Sequence, residues 1–130
     1  MKVVAAAILI NDGKIFIAKR KLFAEGPEKW EFPNGKMQLG ETPEQCLQRA
    51  MQEEFRMNIH IGDLYGESSY EYGQGSIKLM AFRVNWEGGD IISSSHDDFK
   101  WVDIADLRSF YFAPADMPIV EKLIKEGNGN

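Results

Sequence analysis

Gly35, Glu41, Arg49, Glu53 and Glu54 fall within one stretch of the chain, GKMQLGETPEQCLQRAMQEEFRM, running from Gly35 to Met57. A Gly-containing turn here feeds a helix. Glu41 stands just before that helix, and Arg49, Glu53 and Glu54 lie on it. Arg49 and Glu53 are four residues apart, so they share a face and can pair. The adjacent Glu53 and Glu54 project about 100° apart, so they meet a common ion only at its edge. Carboxylate oxygens suit a hard cation such as Mg²⁺, which keeps several positions for water and phosphate oxygens. The competing reading of a lone Glu-Glu pair is a solvated acidic helix face.

The elements that must position these groups are marked in the sequence. Val3 to Ile10 and Lys14 to Arg20 are β-type runs joined by Asn11-Asp12-Gly13, and Asp-Gly between apolar runs predicts a hairpin. Lys21 to Lys29 is polar and irregular, Trp30-Glu31-Phe32 is short and extended, and Pro33-Asn34-Gly35 is a turn. Thr42 is a natural N-cap, Pro43 suits the first helical position, and Gln45 completes a capping box. Cys46, Leu47, Ala50 and Met51 form an apolar stripe at helical spacing, and the helix ends near Arg56 to Asn58. Ile59 to Tyr72 reads as one or two strands, Gly73-Gln74-Gly75 as a turn and Ser76 to Trp86 as a strand. Glu87 to Asp98 is a Gly- and Ser-rich loop, Phe99 to Val102 a short strand, and Ala115 to Glu126 a second helix. Residues 127–130 form a frayed tail. The hairpins require antiparallel pairs, which argues against a purely parallel sheet. An α/β sandwich in a single domain spanning residues 1–130 is the expected architecture.

Composition narrows the class. A chain of 130 residues is one ordinary domain. Its formal charge of −5 argues against a binder of nucleic-acid polymers, which would carry a basic face. A small anionic partner is compatible with that charge when a divalent cation and a few local Arg or Lys residues mediate the contact. With Cys46 as the one cysteine, no internal disulfide can form, and a reducing compartment fits. Lys2 followed by Val3 to Ile10 has a faint look of a signal peptide. The run is short and stops at a turn, so it reads as a buried strand. No run reaches the roughly 20 apolar residues of a membrane helix. A cytoplasmic location, with no membrane partner, is expected.

Gly35, five residues, Glu41, seven residues, Arg49, then Met51, Glu53 and Glu54 resembles the Nudix box, G-x5-E-x7-R-E-U-x-E-E-x-G-U, with U a bulky aliphatic. The flanks extend the likeness to MutT-type nucleoside triphosphate pyrophosphohydrolases: Trp30-Glu31-Phe32-Pro33 before the box, Gly40 to Gln45 within it, and Phe112-Ala113-Pro114-Ala115-Asp116-Met117-Pro118 near the end. The last segment is most similar to the CTP pyrophosphohydrolase branch. The resemblance implies an α/β/α sandwich with a mixed sheet and the box as a loop-helix-loop. It implies Mg²⁺, with Mn²⁺ as a substitute, and water attacking a phosphorus to give a monophosphate and pyrophosphate. On matching positions, Glu53, Glu54 and the Asn34 carbonyl would hold metal, and Arg49 would orient a glutamate on its own helix. Arg20 and Lys36 would touch phosphate. Asp116 would read the base, the alternative being a plain helix N-cap. Tyr72 would stack on the base or serve a cross-strand role.

Four positions depart from the box and its surroundings. Ala50 stands where the box has a glutamate after its arginine. Ser95 falls where a further acidic residue is expected six positions before Trp101, with Asp97 and Asp98 close by as substitute metal ligands. Arg56 replaces the closing glycine. Asn34 replaces a glycine and is the milder change, since Asn accepts left-handed backbone. Two functional readings follow: a metal-dependent pyrophosphohydrolase acting on a small nucleotide as a monomer or homodimer, or a Nudix fold that binds a nucleotide with little or no turnover. Trp30, Phe32, Met80 and Phe82 are expected in the core, His60 and His96 on the surface or in loops, and Cys46 as a buried inert thiol.

Overall fold

The computed structural model describes residues 2–20, 29–73, 75–88, 91 and 96–128, with the side chains of Arg20, Tyr72, His96, Asp97, Asp98 and Asn128 outside that description. Among the described residues, seven strands, two helices and two 3₁₀ turns follow one another as β1 (Lys2–Asn11), β2 (Lys14–Arg20), β3 (Trp30–Glu31), β4 (Asn34–Lys36), α1 (Pro43–Phe55), β5 (Asn58–Tyr72), β6 (Gly75–Gly88), β7 (His96–Asp103), the turns Ile104–Ser109 and Pro114–Asp116, and α2 (Met117–Asn128).

β1 is the organising strand. It is buried from Val4 to Leu9 and runs parallel to β6 over Lys2–Leu9. Its other edge is divided between two partners. Ile10 and Asn11 pair with the start of β2, whereas Val4, Ala5 and Ala6 pair antiparallel with β4. The sheet order is β3-β2-β1-β6-β5, with β4 added on β1 and β7 on β2. Parallel and antiparallel pairs therefore coexist, as expected of a mixed sheet. The β1–β2 connection is the anticipated hairpin: Asp12 and Gly13 both take positive φ, at 53° and 78°, the backbone of a two-residue turn that matches strand twist.

Alternation along the strands sends side chains to two cores. On one face Ala5, Ala7, Phe16, Ala18 and Phe82 meet Cys46, Leu47, Met51 and Phe55 of α1. On the other, Ile8, Ile17, Phe32 and Leu79 meet Ile119, Val120, Leu123 and Ile124 of α2. Phe32 and Phe82 are core residues as expected, while Trp30 and Met80 pack at the margins. The α1 N-terminus is built as read: the Thr42 side chain accepts from the Gln45 N–H, and the Gln45 side chain accepts from the Thr42 N–H.

Of the two options for Ile59–Tyr72, the single strand holds: the segment lies in β5, whose irregular register between Ile61 and Gly66 blurs the alternation. Several other boundaries differ from the sequence reading. β7 begins at His96 rather than Phe99, because backbone pairing with Lys19 and Arg20 extends it beyond its apolar residues. The turn Pro33-Asn34-Gly35 is mostly strand, and Asn34 does not have positive φ. α2 includes residues 127 and 128, expected in the tail, while residues 129 and 130 lie outside the described set. Among the described residues, no helix is long and apolar enough to cross a membrane.

Arg56 closes α1 at φ 58°, donating its N–H to Gln52, and Met57 N–H reaches Met51 O at 3.2 Å. A β-carbon is disfavoured in that conformation. Arg56→Gly is expected to stabilise the fold by up to about 1 kcal/mol, the relief being partly offset by greater freedom of the unfolded glycine. Thermal unfolding should show a midpoint raised by a few degrees, and a lowered midpoint would contradict the left-handed assignment.

Candidate active site

Because β1 parts from β2 to take β4, a cleft of about 470 Å³ opens between the start of β1, the loop before α1 and the chain leading into α2. Its polar wall carries Asn34, Lys36, Arg49, Glu53 and Glu54, and its apolar wall includes Val4, Ile77, Leu79, Ala113 and Ala115. Glu31 and Asp116 complete it. Glu53 and Glu54, adjacent on α1, thus line one cavity, Glu53 remaining exposed and Glu54 half-buried.

Contact between β4 and α1 sets the floor. A β-carbon on Gly35 would lie 2.5 Å from the Ala50 Cβ, so only glycine lets the strand approach this closely. Ala50 is itself buried and gives the cleft only a methyl group. One helical turn later come Glu53 and Glu54.

Arg49 ties the loop to the helix. Its Nε donates to Glu41 Oε2 at 2.6 Å, and its Nη2 to Glu41 Oε1 at 3.0 Å, a two-pronged pair. Nη2 also donates to the Lys36 carbonyl at 3.1 Å, and Nη1 reaches Glu53 Oε2 at 3.3 Å. The expected pairing of Arg49 with a glutamate on its own helix is present, but the stronger partner is Glu41, which the sequence reading left without a role. Glu41 also accepts the Gln38 N–H at 2.9 Å. The Arg49 hydrogen bonds hold the Glu41 carboxyl below the usual carboxylate range, and the same contacts raise Arg49 further. Cys46 lies behind this pair, and burial pushes its thiol up, consistent with an inert core sulfur.

On the same cleft, Asp116 is only 4% exposed. Burial drives its carboxyl well above the ordinary range, the neighbouring Glu31 charge adds to this, and the Phe32 N–H opposes it. Asp116 closes the 3₁₀ turn before α2, and the Phe32 amide, on another segment, binds its carboxyl.

The other expected site residues are distributed as follows. Lys36 is exposed on the cleft wall, and Asn34 lines it with its side-chain amide donating to Phe32 O at 2.9 Å. Arg20 ends β2, beside the start of β7, where Lys19 pairs with Asp98 and Arg20 with His96. Asp97 and Asp98 therefore lie on a strand rather than in a loop. Tyr72 pairs with Gly75 at the β5–β6 tip. Ser95 lies outside the described residues. Glu31 was missed, because its relation to Asp116 depends on segments far apart in the chain.

Glu53, Glu54 and Asn34 bring oxygen donors to the polar wall, and Glu54 Oε2 is shielded from solvent. This donor chemistry fits a hard divalent ion. Among the described residues no group of three or more His, Cys, Asp or Glu side chains gathers into a metal cluster. Water and bound phosphate would have to supply much of such an ion's shell.

A chain folded as a mixed sheet between two helices, with this cleft beside the box helix, belongs to the Nudix family: the NUDIX domain model matches residues 1–123. Nudix hydrolases generally need a divalent metal. The chain is 34% identical to the 8-oxo-dGTP diphosphatase of Escherichia coli K12 over 122 residues, covering 92% of this chain and 94% of that protein. It is 30% identical to the CTP pyrophosphohydrolase of the same organism, covering 91% and 87%. The solution structure of the E. coli ORF135 protein superposes with a TM-score of 0.86 at 29% identity, covering 96% of this chain and 89% of that one.

Because Glu41 is held in its charged form, its pairing stabilises the fold above the ordinary carboxylate range and is lost as pH falls through its lowered value. Glu41→Gln is expected to lower the unfolding midpoint at pH 7, with the gap to the parent closing under acid. A gap independent of pH would remove the clamp from the account.

Proposed function

We propose that the protein is a Mg²⁺-dependent nucleoside triphosphate pyrophosphohydrolase. The observation that carries this reading is the shared cleft: Glu53, Glu54, the apolar Val4, Ile77 and Leu79, and Asp116 all line one cavity. Such a lining suits a molecule with an anionic part and a flat, hydrogen-bonding part. The named activities of the E. coli relatives support the same reaction class.

Glu53, Glu54 and the Asn34 carbonyl would hold Mg²⁺, which when bound neutralises phosphate charge and makes water more acidic. Asp97 and Asp98, at the start of β7, are further candidates for that site. Arg49 keeps Glu53 oriented while its main grip is on Glu41. Lys36 on the cleft wall would contact phosphate oxygens and Asp116 would hydrogen-bond the base edge, with Arg20 and Tyr72 as candidates for a further phosphate contact and for stacking on the base. Water adds at a phosphorus flanking the α–β bridge, that bridging P–O bond breaks, and pyrophosphate leaves the monophosphate. The attacking water's proton passes to solvent or to a phosphate oxygen. The partners are small nucleotides in the cytoplasm rather than polymers or membranes.

Ala50 favours a second reading, a binding module of low turnover, because it puts a methyl group where the box has a carboxylate. The absence of general-base help typically costs about 10²–10⁴ in rate.

A pyrophosphate-release panel of nucleotides with Mg²⁺ tests the enzyme reading, and turnover of at least one is expected. Release no faster than background on every nucleotide, alongside measurable binding, would favour the module. Glu54→Gln is expected to lower kcat by about 10² or more. Ala50→Glu keeps the β-carbon that touches Gly35 and should raise kcat by about 10², whereas no gain would show that position 50 does not limit the rate.

A further inference from the structure

The chain leading into α2 gives the cleft Ala113, Ala115 and Asp116. Pro114–Asp116 form a single 3₁₀ turn, closed by the Asp116 N–H on Ala113 O at 3.0 Å and the Met117 N–H on Pro114 O. Hydrogen-bond geometry in a 3₁₀ turn is poorer than in an α-helix, so so short a piece is placed by what it is tied to.

Ties come from β3 and β5, the strands at the two ends of the sheet order. On β3, Trp30 forms a parallel bridge with Phe112: its N–H donates to Tyr111 O at 2.7 Å, and its carbonyl accepts the Ala113 N–H at 3.0 Å. On β5, Ser68 Oγ donates to Ala115 O at 2.5 Å. The face of β5 that carries Ser68 is shaped to receive α2. Two residues earlier, a β-carbon on Gly66 would lie 2.9 Å from Ile119 Cδ1. The Lys122 ammonium donates to the Tyr65 carbonyl, and the Tyr65 hydroxyl to Glu126 Oε1 at 2.7 Å. Those contacts seat α2 itself, whereas Ser68 reaches the turn before it. In the β5–β6 ladder Ser68 stands opposite Leu79, which lines the cleft. Ser68 is not among the described residues of that lining.

We propose that Ser68 is a positioning residue for nucleotide recognition. Through the Ala115 carbonyl it fixes where Asp116 and the two alanines stand relative to Val4, Ile77 and Leu79, and so sets affinity for the base without touching it. This rests on the nucleotide reading of the cleft, with Asp116 on the base edge. Alanine at position 68 removes the tie on β5 and leaves the turn held from Trp30. Lys36, Glu53 and Glu54 belong to β4 and α1, which Arg49 joins independently of β5, so the phosphate contacts stay in place.

Two measurements on the full chain decide the matter. The first is amide hydrogen exchange without nucleotide. Ser68→Ala should speed exchange at the Ala113 and Asp116 amides by about three- to tenfold, the worth of one hydrogen bond, and leave the Cys46 amide of α1 as in the parent. Unchanged protection at Ala113 and Asp116 overturns the positioning role whether or not the protein binds a nucleotide. The second is Kd, with Mg²⁺, for the α,β-methylene analogues of CTP and GTP and for inorganic triphosphate, which has no base. Ser68→Ala should weaken the analogue the parent prefers by about three- to tenfold and leave inorganic triphosphate unaffected. Equal losses on both, or no loss on either, would refute the proposal. With a hydrolysable nucleotide KM should rise by the same factor while kcat stays near the parent's, and a fall in kcat alone would count against it. Ser69→Ala, one residue along and on the opposite face of β5, should match the parent throughout. The same losses there would assign the effect to the strand and not to the Ser68 hydrogen bond, and overturn the proposal. Faster exchange in Ser68→Ala, but no binding of either analogue by the parent, would sink the nucleotide reading and the recognition role with it, while the tie between Ser68 and the turn would stand.

Discussion

The two-pronged hydrogen bond between Arg49 and Glu41 is the constraint on which the cleft depends. It joins the loop before α1 to the middle of that helix, and the same guanidinium reaches the Lys36 carbonyl and Glu53. β4, the loop and the acidic turn of α1 are thereby fixed to one cation. Gly35 against Ala50 provides the matching steric condition, because the strand can lie on the helix only where a side chain is missing. Remove either and the carboxylates of Glu53 and Glu54 have no defined relation to the β4 backbone.

The carboxyl groups lining the cleft sit in opposite electrostatic settings. On α1, negative charge is concentrated and partly exposed, which suits a cation that brings phosphate with it. At Asp116, burial and then the Glu31 charge disfavour ionisation. A protein of net charge −5 can accommodate a polyanion only with such a division.

Local signals were the legible ones. Thr42, Pro43 and Gln45 announced α1, Asp12-Gly13 announced the hairpin, and the stripe Cys46, Leu47, Ala50 and Met51 announced the buried helix face. Each depends on residues within one or two turns of each other. The spacing of Glu41, Arg49, Glu53 and Glu54 likewise pointed to the cleft, because a helix converts sequence interval into direction. What escaped notice required distant segments to meet. Glu31 acquires its neighbour through β3 and residues 111–116, and the start of β7 at His96 depends on backbone pairing with Lys19 and Arg20 rather than on its own side chains. The strand character of Asn34 follows from pairing with Ala6, which no turn propensity reveals. Arg56 was seen as a departure, but its left-handed backbone was not, since nothing local marks a charged residue for that conformation.

The parallel pairing of β1 with β6 also bears on how the chain acquires its shape during synthesis. Lys2 must wait for Ile77, and Leu9 for Val84, before either finds its ladder partner. The most apolar strand therefore leaves the ribosome well before β6 and is satisfied late, with the β2 hairpin and β4 available among the described residues in the interval. Such long-range closure slows folding and leaves a sticky edge exposed in the nascent chain. The tight Asp12-Gly13 reversal, formed from residues made within moments of each other, gives that strand an early local partner while its permanent neighbour is still being translated.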